Sequence, residues 1–413
     1  MTNFCFIKLL FLAVLIKICS SKVIIIGTGP SGIAAATKLL KNNVSDILIL
    51  EAENRIGGRI NSIEFGDAFV DMGAEWCHGQ EDNIVYSLIK DYNILRHTAT
   101  ELASFYSDGK QVDETLNKQL FDIIEDIYVP DGNKKQREGI SLGEYCMNRY
   151  FTAIDNLNLT DSRNQTIAYD FIDFFQSYVD SSEGAFTWFE PSAESDYRDC
   201  PGDLGLNWNG WGYKTILDLL MQKFPNSSIP LPIDDKIILN KQVQKIVWDS
   251  KDDDVIVKCL DGSWYHGDHV IFTPSLGVLK EKHGQLFEPQ LPLQKQNAIE
   301  KLGIGAVMKI MLLFDKPWWP NTFTGASFIW SVDHKSSNNF HKFTKLGRTW
   351  IFDVLGVIPV ANNPNVLSFW FTGKSIPIIE QLDNVDVLEG VNFLLQTFLG
   401  STYNLTYPIT ITK

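Results

Sequence analysis

A short apolar strand, followed by three spaced glycines and a helix, is the feature that most constrains the fold of this chain. Val23–Ile26 is β-branched throughout, which is typical of a strand buried on both faces of a parallel sheet. The pattern G-x-G-x-x-G follows at Gly27, Gly29 and Gly32, and Ile33–Leu40 then has the composition of a helix. This order of elements predicts the first βα unit of a doubly wound α/β domain.

A second apolar run, Ile47–Leu50, predicts the neighbouring strand and ends at Glu51. In such units the first glycine allows a tight turn, the second lets a pyrophosphate approach the backbone, and the third lets helix and strand pack closely. The helix N-terminus then faces the phosphates, and the acid accepts both ribose hydroxyls. We therefore predict a dinucleotide site that also includes Ser31, although this motif alone does not separate FAD from NAD.

The residues after Glu51 indicate FAD. The run Glu51-Ala-Glu-Asn-Arg55-Ile-Gly57-Gly58-Arg59 resembles the E-x-x-x-R-x-G-G-R segment of the glutathione-reductase-like FAD superfamily, in its amine oxidase branch. The resemblance implies that Gly58 lets the backbone pass close to the cofactor and that Arg59 approaches the pyrophosphate. A guanidinium suits that position because it offers several donors in a fixed plane. Without the preceding βα unit, a solvated surface turn would be the simpler interpretation.

A second segment resembles a smaller group of proteins within the amine oxidase branch. Gly73-Ala74-Glu75-Trp76-Cys-His78-Gly is similar to the G-A-x-W-x-H-G segment of animal polyamine oxidases. The resemblance implies that Gly73 and Ala74 lie against the flavin, that Trp76 lines the substrate tunnel and that His78 faces a bound polyamine. From the sequence alone, a structural histidine in a turn is the commoner interpretation of His78. Glu75 departs from the family, which more often has a small or polar residue there.

Lys309 is the strongest catalytic candidate. It lies in the apolar run Gly303–Phe314, where strand alternation places it on one face with Val307 and Met311. A lysine in such a strand more often extends its ammonium to solvent. The family resemblance implies instead that Lys309 holds a water against flavin N5.

Four short runs with turn residues between them predict a small meander: Val243–Trp248, Val255–Leu260, Trp264–Tyr265 and His269–Phe272. The meander resembles that of the FAD domain in the same family, and the resemblance implies that Val243 meets the adenine.

We expect two domains and an α/β fold. A doubly wound, glutathione-reductase-like FAD-binding domain is predicted for residues 22–98 and 205–290, and a mixed α+β substrate domain for residues 99–204 and 291–413. The resemblance extends from Lys22 to the end and is weakest over residues 100–200. The G-E-x7-G-A-x-x-S-G pattern of the family's flavin-capping helix does not occur. We therefore expect the chain to stop before that segment.

The first 21 residues have the layout of a secretory signal. The apolar run Leu9–Ile16 is too short to span a bilayer, and small residues follow it up to Ser21, where we expect cleavage. No stable membrane association is expected. Asn-X-Ser/Thr sequons occur at Asn43, Asn158, Asn164, Asn226 and Asn404. The mature chain keeps Cys77, Cys146, Cys200 and Cys259, which could form one or two disulfides and have no zinc-site spacing.

The predicted activity is the oxidation of a polyamine C–N bond by O2, giving an aldehyde, an amine and hydrogen peroxide. Lys and Arg total 36 against 50 Asp and Glu, and the net charge of −14 argues against a nucleic-acid partner. Acids at Glu183, Glu190 and Glu194 could attract a polycation, although surface acids are the default. Two alternatives remain: an L-amino-acid oxidase, which needs a carboxylate-binding arginine such as Arg163, Arg198 or Arg348, and a catalytically silent secreted protein.

Overall fold

The computed structural model describes residues 21–98, 101–128, 137–195, 199–226, 228–249, 254–336 and 348–413, with the side chain of Arg348 excepted. The described chain forms two compact units. The first comprises the residues up to Asn61 together with Lys214–Leu302, and the second comprises Ser62–Tyr213 and Gly303–Lys413.

The strands, in chain order, are β1 (Val23–Ile26), β2 (Ile47–Leu50), β3 (Ser62–Phe65), β4 (Ala68–Asp71), β5 (Arg96–His97), β6 (Ala103–Tyr106), β7 (Leu206–Asn207), β8 (Ile237–Ile238), β9 (Val243–Val247), β10 (Val255–Cys259), β11 (Trp264–Gly267), β12 (His269–Phe272), β13 (Phe287–Glu288), β14 (Met308–Leu313), β15 (Ala326–Ile329), β16 (Val354–Pro359), β17 (Val366–Phe371) and β18 (Thr410–Thr412). The α-helices are α1 (Pro30–Lys41), α2 (Ile84–Ile89), α3 (Glu114–Tyr128), α4 (Leu142–Asn156), α5 (Ser162–Asp170), α6 (Ile172–Glu183), α7 (Thr215–Leu220), α8 (Leu276–Leu286), α9 (Leu293–Lys301), α10 (Val332–Ser336), α11 (Ile376–Gln381) and α12 (Asn384–Leu399).

The first unit is built on a parallel sheet in the order β12-β1-β2-β8. Every residue of β1 is buried, which is why this strand is apolar on both faces. The helix α1 follows directly and begins with a proline, whose missing N–H costs nothing at a helix start. Both predicted strands and the predicted helix of this βα unit are therefore confirmed.

A second sheet of the first unit, in the order β11-β10-β9-β13, contains the predicted meander with one correction. β9, β10 and β11 pair antiparallel as expected. The predicted fourth strand, His269–Phe272, instead pairs in parallel with β1. Its apolar residues Val270 and Phe272 pack against the core around Ile24 and Leu50, so burial at β1 decides which sheet this strand joins.

The second unit contains a mixed sheet in the order β18-β14-β17-β16-β15-β6. β14 lies between β17 and β18 and pairs with both in antiparallel register. One aromatic core is shared by the sheet and α12, where Phe398 stacks on Phe328 with ring centroids 4.4 Å apart. Helices α3 to α6 form a separate core, and α4 begins with a capping box in which Ser141 and Glu144 satisfy each other's backbone N–H groups.

The compact units divide the chain at other points than the predicted domain boundaries. Residues 62–98 and 205–213, predicted for the FAD domain, fall in the second unit. Compact units group residues by their spatial neighbours, whereas the predicted domains group them by the ligand that they would bind, so the boundaries stay a prediction. The predicted signal lies outside the described residues, Ser21 excepted.

The structure also shows the state of the four cysteines that follow the predicted signal. Cys77, Cys146, Cys200 and Cys259 are all free in the structure, whereas the sequence left one or two disulfides possible. Cys146 lies in the helical core of the second unit and Cys259 in the core of the first, so each of these thiols is buried among apolar neighbours.

In the described part of the chain, no helix is long and apolar enough to cross a membrane.

Candidate active site

The glycines of the first turn have different steric roles. Gly27 has φ +104°, and a Cβ there would lie 2.6 Å from Thr273 Oγ1. A Cβ at Gly32 would lie 2.0 Å from the Gly27 carbonyl oxygen. At Gly29 a Cβ would meet only the Gly57 carbonyl oxygen, at 3.9 Å, among the described residues. The chain itself therefore requires glycine at positions 27 and 32, whereas the space beside Gly29 is open to a ligand.

The N-terminus of α1 offers donors to that space. Gly29 is the N-cap residue, no side chain among the described residues caps the helix, and Ser31 in the first turn is exposed. The free N–H groups of a first helical turn, together with the helix dipole, bind phosphate groups well. An open glycine and an uncapped helix start thus fit the pyrophosphate of FAD.

Glu51 is buried at the end of β2, and the protein uses most of its acceptor capacity. Its Oε2 accepts hydrogen bonds from the backbone N–H and the hydroxyl of Thr28, at 2.8 and 2.6 Å. Its Oε1 accepts from the backbone N–H of Glu53 at 2.9 Å. A carboxylate has about four acceptor positions, so one remains for a ribose hydroxyl. The sequence reasoning did not identify Thr28 as a partner of Glu51.

We expect Glu51→Ala to weaken FAD binding about tenfold or more, because a charge-assisted hydrogen bond is worth roughly 1.5–3 kcal/mol. Titration of the refolded apoprotein with FAD, followed by quenching of flavin fluorescence, measures the effect. Glu53→Ala is the matched control because its side chain is exposed and pairs with Arg55. Equal FAD affinity in the two variants would contradict the predicted ribose contact.

The double glycine lies beside the first turn. The Gly57 N–H donates to the Thr28 carbonyl at 3.0 Å, and a Cβ at Gly58 would lie 3.5 Å from the Gly29 Cα. Tertiary structure therefore brings the two predicted glycine segments together within the first unit. Arg59 and Gly58 are exposed, and Val243 is half-buried at the start of β9. Their predicted contacts with FAD remain predictions.

In the second unit, Lys309 is buried rather than extended to solvent. Its side chain is 4% exposed, and its Nζ donates to the carbonyl oxygens of Asp71 and Gly73, both at 2.9 Å. Glu75 Oε2 accepts a third hydrogen bond at 2.6 Å, and the ring centroid of Trp370 lies 4.7 Å from Nζ. The segment that begins at Gly73 and the strand that contains Lys309, two of the segments that carried the resemblance, thus meet at one ammonium group. The sequence reasoning noticed Glu75 only as a departure and missed Trp370.

The remaining residues of this segment are less enclosed. Gly73 and Trp76 are half-buried, whereas Ala74 and His78 are exposed. His78 Nδ1 lies 2.7 Å from the Leu204 carbonyl oxygen, which can only accept a hydrogen bond. Nδ1 therefore carries the hydrogen, and Nε2 of the neutral ring is an acceptor. Such an acceptor can receive a hydrogen bond from an alkylammonium group.

Asp71 is a second buried acid in the cluster that Lys309 forms with Glu75 and Trp370. It accepts hydrogen bonds from the Ser62 hydroxyl and from the Tyr213 N–H. Desolvation raises the pKa of Asp71 to about 6, and the nearby Glu75 carboxylate acts in the same direction. The cluster therefore holds two acids and one lysine in an environment that disfavours uncompensated charge.

The acids that the sequence offered for attracting a polycation have structural partners. Glu183 accepts from the Tyr128 hydroxyl, Glu190 from the Phe186 N–H and Glu194 from the Gly139 N–H, at 2.7, 3.1 and 2.9 Å. A cavity of about 220 Å³ in the same unit is lined instead by a set of other residues that includes Asp173, Asp180, Lys335, Asp353 and Lys374.

Asp180 gives a pH-dependent prediction. Burial raises its pKa from 3.8 to about 7, so the cost of its charge in the folded protein is absent below about pH 4 and complete above about pH 7. We expect Asp180→Asn to be more stable than the wild type by roughly 2–4 kcal/mol at pH 8 and equally stable at pH 4. Urea unfolding at both pH values tests this, with the exposed Asp91→Asn as control. A difference that is independent of pH would be evidence against the raised pKa.

Comparison with known proteins identifies a family for this chain. The family described as flavin containing amine oxidoreductase matches residues 30–412. Probable polyamine oxidase 5 of Arabidopsis thaliana is 26% identical over 92% of this chain and 76% of its own length. The peroxisomal N(1)-acetyl-spermine/spermidine oxidase of Bos taurus is 25% identical over 92% of this chain and 78% of its own length.

The fold has a counterpart among solved structures. A double mutant of putrescine oxidase, redesigned in its cofactor binding, has a TM-score of 0.57 at 16% identity, and the match covers 94% of this chain and 84% of that chain. This similarity confirms the predicted class, an α/β FAD-binding fold with a second, mixed domain.

Proposed function

Because this chain belongs to the flavin-containing amine oxidoreductase family, which matches residues 30–412, we propose that its substrates are polyamines. As a member of that family it is an FAD-dependent oxidoreductase that acts on CH–NH bonds. The finer proposal is that it oxidises spermine, spermidine or their acetylated forms, and that the products are an aldehyde, an amine and hydrogen peroxide.

The observation that carries this proposal is the clustering of the Asp71–Glu75 segment around the buried Lys309. This segment runs directly into Trp76 and His78, whose spacing resembles that of polyamine oxidases. Because His78 Nδ1 donates to the Leu204 carbonyl, Nε2 of the neutral ring can accept a hydrogen bond from an ammonium group. The names of the similar plant and bovine proteins support the same substrate class.

The charge of the chain supports a cationic substrate. Its net charge is −14, so the protein attracts polycations over distance and repels polyanions at low ionic strength. An L-amino-acid substrate has a carboxylate that requires a free guanidinium. Arg163 is bound to Asp108 at 3.1 Å, and Arg198 and the Arg348 side chain lie outside the described residues. Of these three arginines, the one whose side chain the structure describes is therefore already paired with an acid.

In the proposed mechanism, the first unit holds FAD by its adenosine and pyrophosphate parts. The phosphates bind in the open space beside Gly29 and at the N-terminus of α1. The Glu51 carboxylate accepts a hydrogen bond from a ribose hydroxyl. When bound, FAD would supply the redox chemistry, namely acceptance of a hydride equivalent from the carbon next to the amine nitrogen and return of the electrons to oxygen. His78 orients a substrate nitrogen, and Lys309 supplies a fixed positive charge inside the second unit.

Peroxide release in the presence of FAD tests the proposal. We expect spermine, spermidine or an acetylated form to give peroxide at a rate well above that with leucine. Peroxide from leucine alone would show an amino-acid oxidase. No peroxide from any amine, with FAD bound, would show a catalytically silent flavoprotein.

We also propose that the protein is secreted. The run Leu9–Ile16 supports this, and four of the five sequon asparagines, all except Asn164, are exposed and therefore accessible to glycosylation. N-terminal sequencing of protein from culture medium is expected to begin near Ser21. A cytosolic, unglycosylated product that retains Met1 would contradict this proposal.

A further inference from the structure

All three hydrogens of the Lys309 ammonium group have acceptors within the protein. An ammonium has three donors, and here they are used by the Asp71 carbonyl, the Gly73 carbonyl and Glu75 Oε2. The Trp370 ring, which is paired with Lys309 across the sheet, covers it further.

Glu75 is the acceptor that distinguishes this chain. The other two acceptors are backbone carbonyls, which any sequence would provide at these positions. Glu75 is 8% exposed and supplies a full negative charge, and its Oε1 lies 3.4 Å from Asn207 Nδ2. A buried cation is costly unless a buried anion pairs with it. The Glu75 carboxylate therefore both compensates the charge of Lys309 and directs its ammonium.

We propose that Glu75 is a positioning residue that holds the ammonium group of Lys309 in place and keeps it charged. The part that concerns turnover rests on the function proposed above, because only that function gives Lys309 a role near the flavin. The part that concerns charge requires no ligand. The two parts can therefore fail separately.

The other titratable groups of the cluster leave a pH range in which Lys309 can be observed. Asp71, with a pKa of about 6, is ionised above pH 7.5. Burial raises the pKa of Cys77 to about 11 and that of Tyr213 to about 12. Between about pH 7.5 and 10 these three groups keep one charge state, so a pH-dependent change there reports on Lys309 itself.

The first experiment measures thermal unfolding of the full chain without added FAD over this pH range. The proteins are the wild type, Glu75→Gln, Glu75→Asp and the double variant Glu75→Gln/Lys309→Met. Glutamine keeps the size of Glu75 and removes its charge, whereas aspartate keeps the charge. The double variant removes the lysine that would titrate.

We expect Glu75→Gln to lower the melting temperature by about 5 °C at pH 7.5, because it leaves a buried cation unpaired. This loss should shrink towards pH 10 as Lys309 gives up its proton in the variant. Glu75→Asp and the double variant should each differ from the wild type by an amount that does not change with pH. A pH-independent loss in Glu75→Gln would overturn the proposal and leave Glu75 a packing residue.

The second experiment measures reoxidation of the reduced flavin by O2, after photoreduction, so that no amine substrate is needed. The wild-type rate should be constant from about pH 7.5 to 10, and the rate in Glu75→Gln should fall as pH rises. Parallel pH profiles in both proteins would overturn the role in turnover. This result would be independent of whether polyamines are the substrates, because the assay contains none.

Discussion

Replacing Gly32 with alanine is expected to lower the free energy of unfolding by about 1–3 kcal/mol or more and to abolish stable FAD binding. The added Cβ would lie 2.0 Å from the carbonyl oxygen and 3.0 Å from the carbonyl carbon of Gly27. Both atoms belong to the backbone, so no side-chain rotation can relieve the overlap. The helix α1 must move away from β1, and the phosphate-binding turn is lost with it.

Gly29→Ala is the matched variant, because the same methyl group meets the protein only at 3.9 Å there. We expect Gly29→Ala to fold with nearly wild-type stability and still to bind FAD at least about tenfold more weakly, since the methyl occupies the space of the pyrophosphate. Urea unfolding without FAD and fluorescence titration with FAD separate the two effects. Equal stability of the two variants would contradict the steric argument, and full FAD affinity in Gly29→Ala would contradict the assigned site.

Replacing Lys309 with methionine is expected to reduce stability by about 3–5 kcal/mol, because Glu75 is left as a buried carboxylate without a counter-ion. The carbonyl groups of Asp71 and Gly73 also lose their donor. In addition, flavin reduction by the amine or flavin reoxidation by O2 should become much slower. Urea unfolding and stopped-flow absorbance of the flavin measure these effects.

Two controls distinguish stability from catalysis. Lys309→Met/Glu75→Gln removes both charges, so it should recover most of the lost stability without recovering the flavin rates. Lys118→Met removes an exposed lysine that pairs with Asp122 at 2.8 Å, and little change in stability is expected because water screens that pair. Wild-type rates in the folded double variant would make Lys309 a structural residue only.

The sequence by itself determined the βα unit of the first domain. Gly32 is constrained by the carbonyl of Gly27 in the same turn, and Gly27 by its own positive φ, while Val23–Ile26 is β-branched throughout. This pattern is therefore visible in a linear reading. Local sterics and apolar periodicity act over short distances along the chain. The predicted residues of this unit therefore appear together in the structure, in the predicted order.

Tertiary structure alone decided the partners of Glu51 and the sheet that β12 joins. The Thr28 hydroxyl reaches Glu51 across 23 positions, and His269–Phe272 reaches β1 from 246 positions away, as Val23 pairs with His269. A pattern of residue types predicts that a strand or an acid exists there. The pattern does not contain the distances that decide which strand pairs with that strand, or which donors form hydrogen bonds with that acid.

Lys309 shows most clearly which features the sequence determined and which features only the tertiary structure decided. The sequence identified the lysine in an apolar strand and noted Glu75 as unusual, yet the two are 234 residues apart. Whether a buried ammonium holds a water or is fully paired depends on the positions of three oxygen atoms within about 3 Å of it. Those positions are set by the packing of β4 and its following loop against β14. Only the folded chain determines them, because hydrogen-bond saturation is a property of atoms in space and not of residue order.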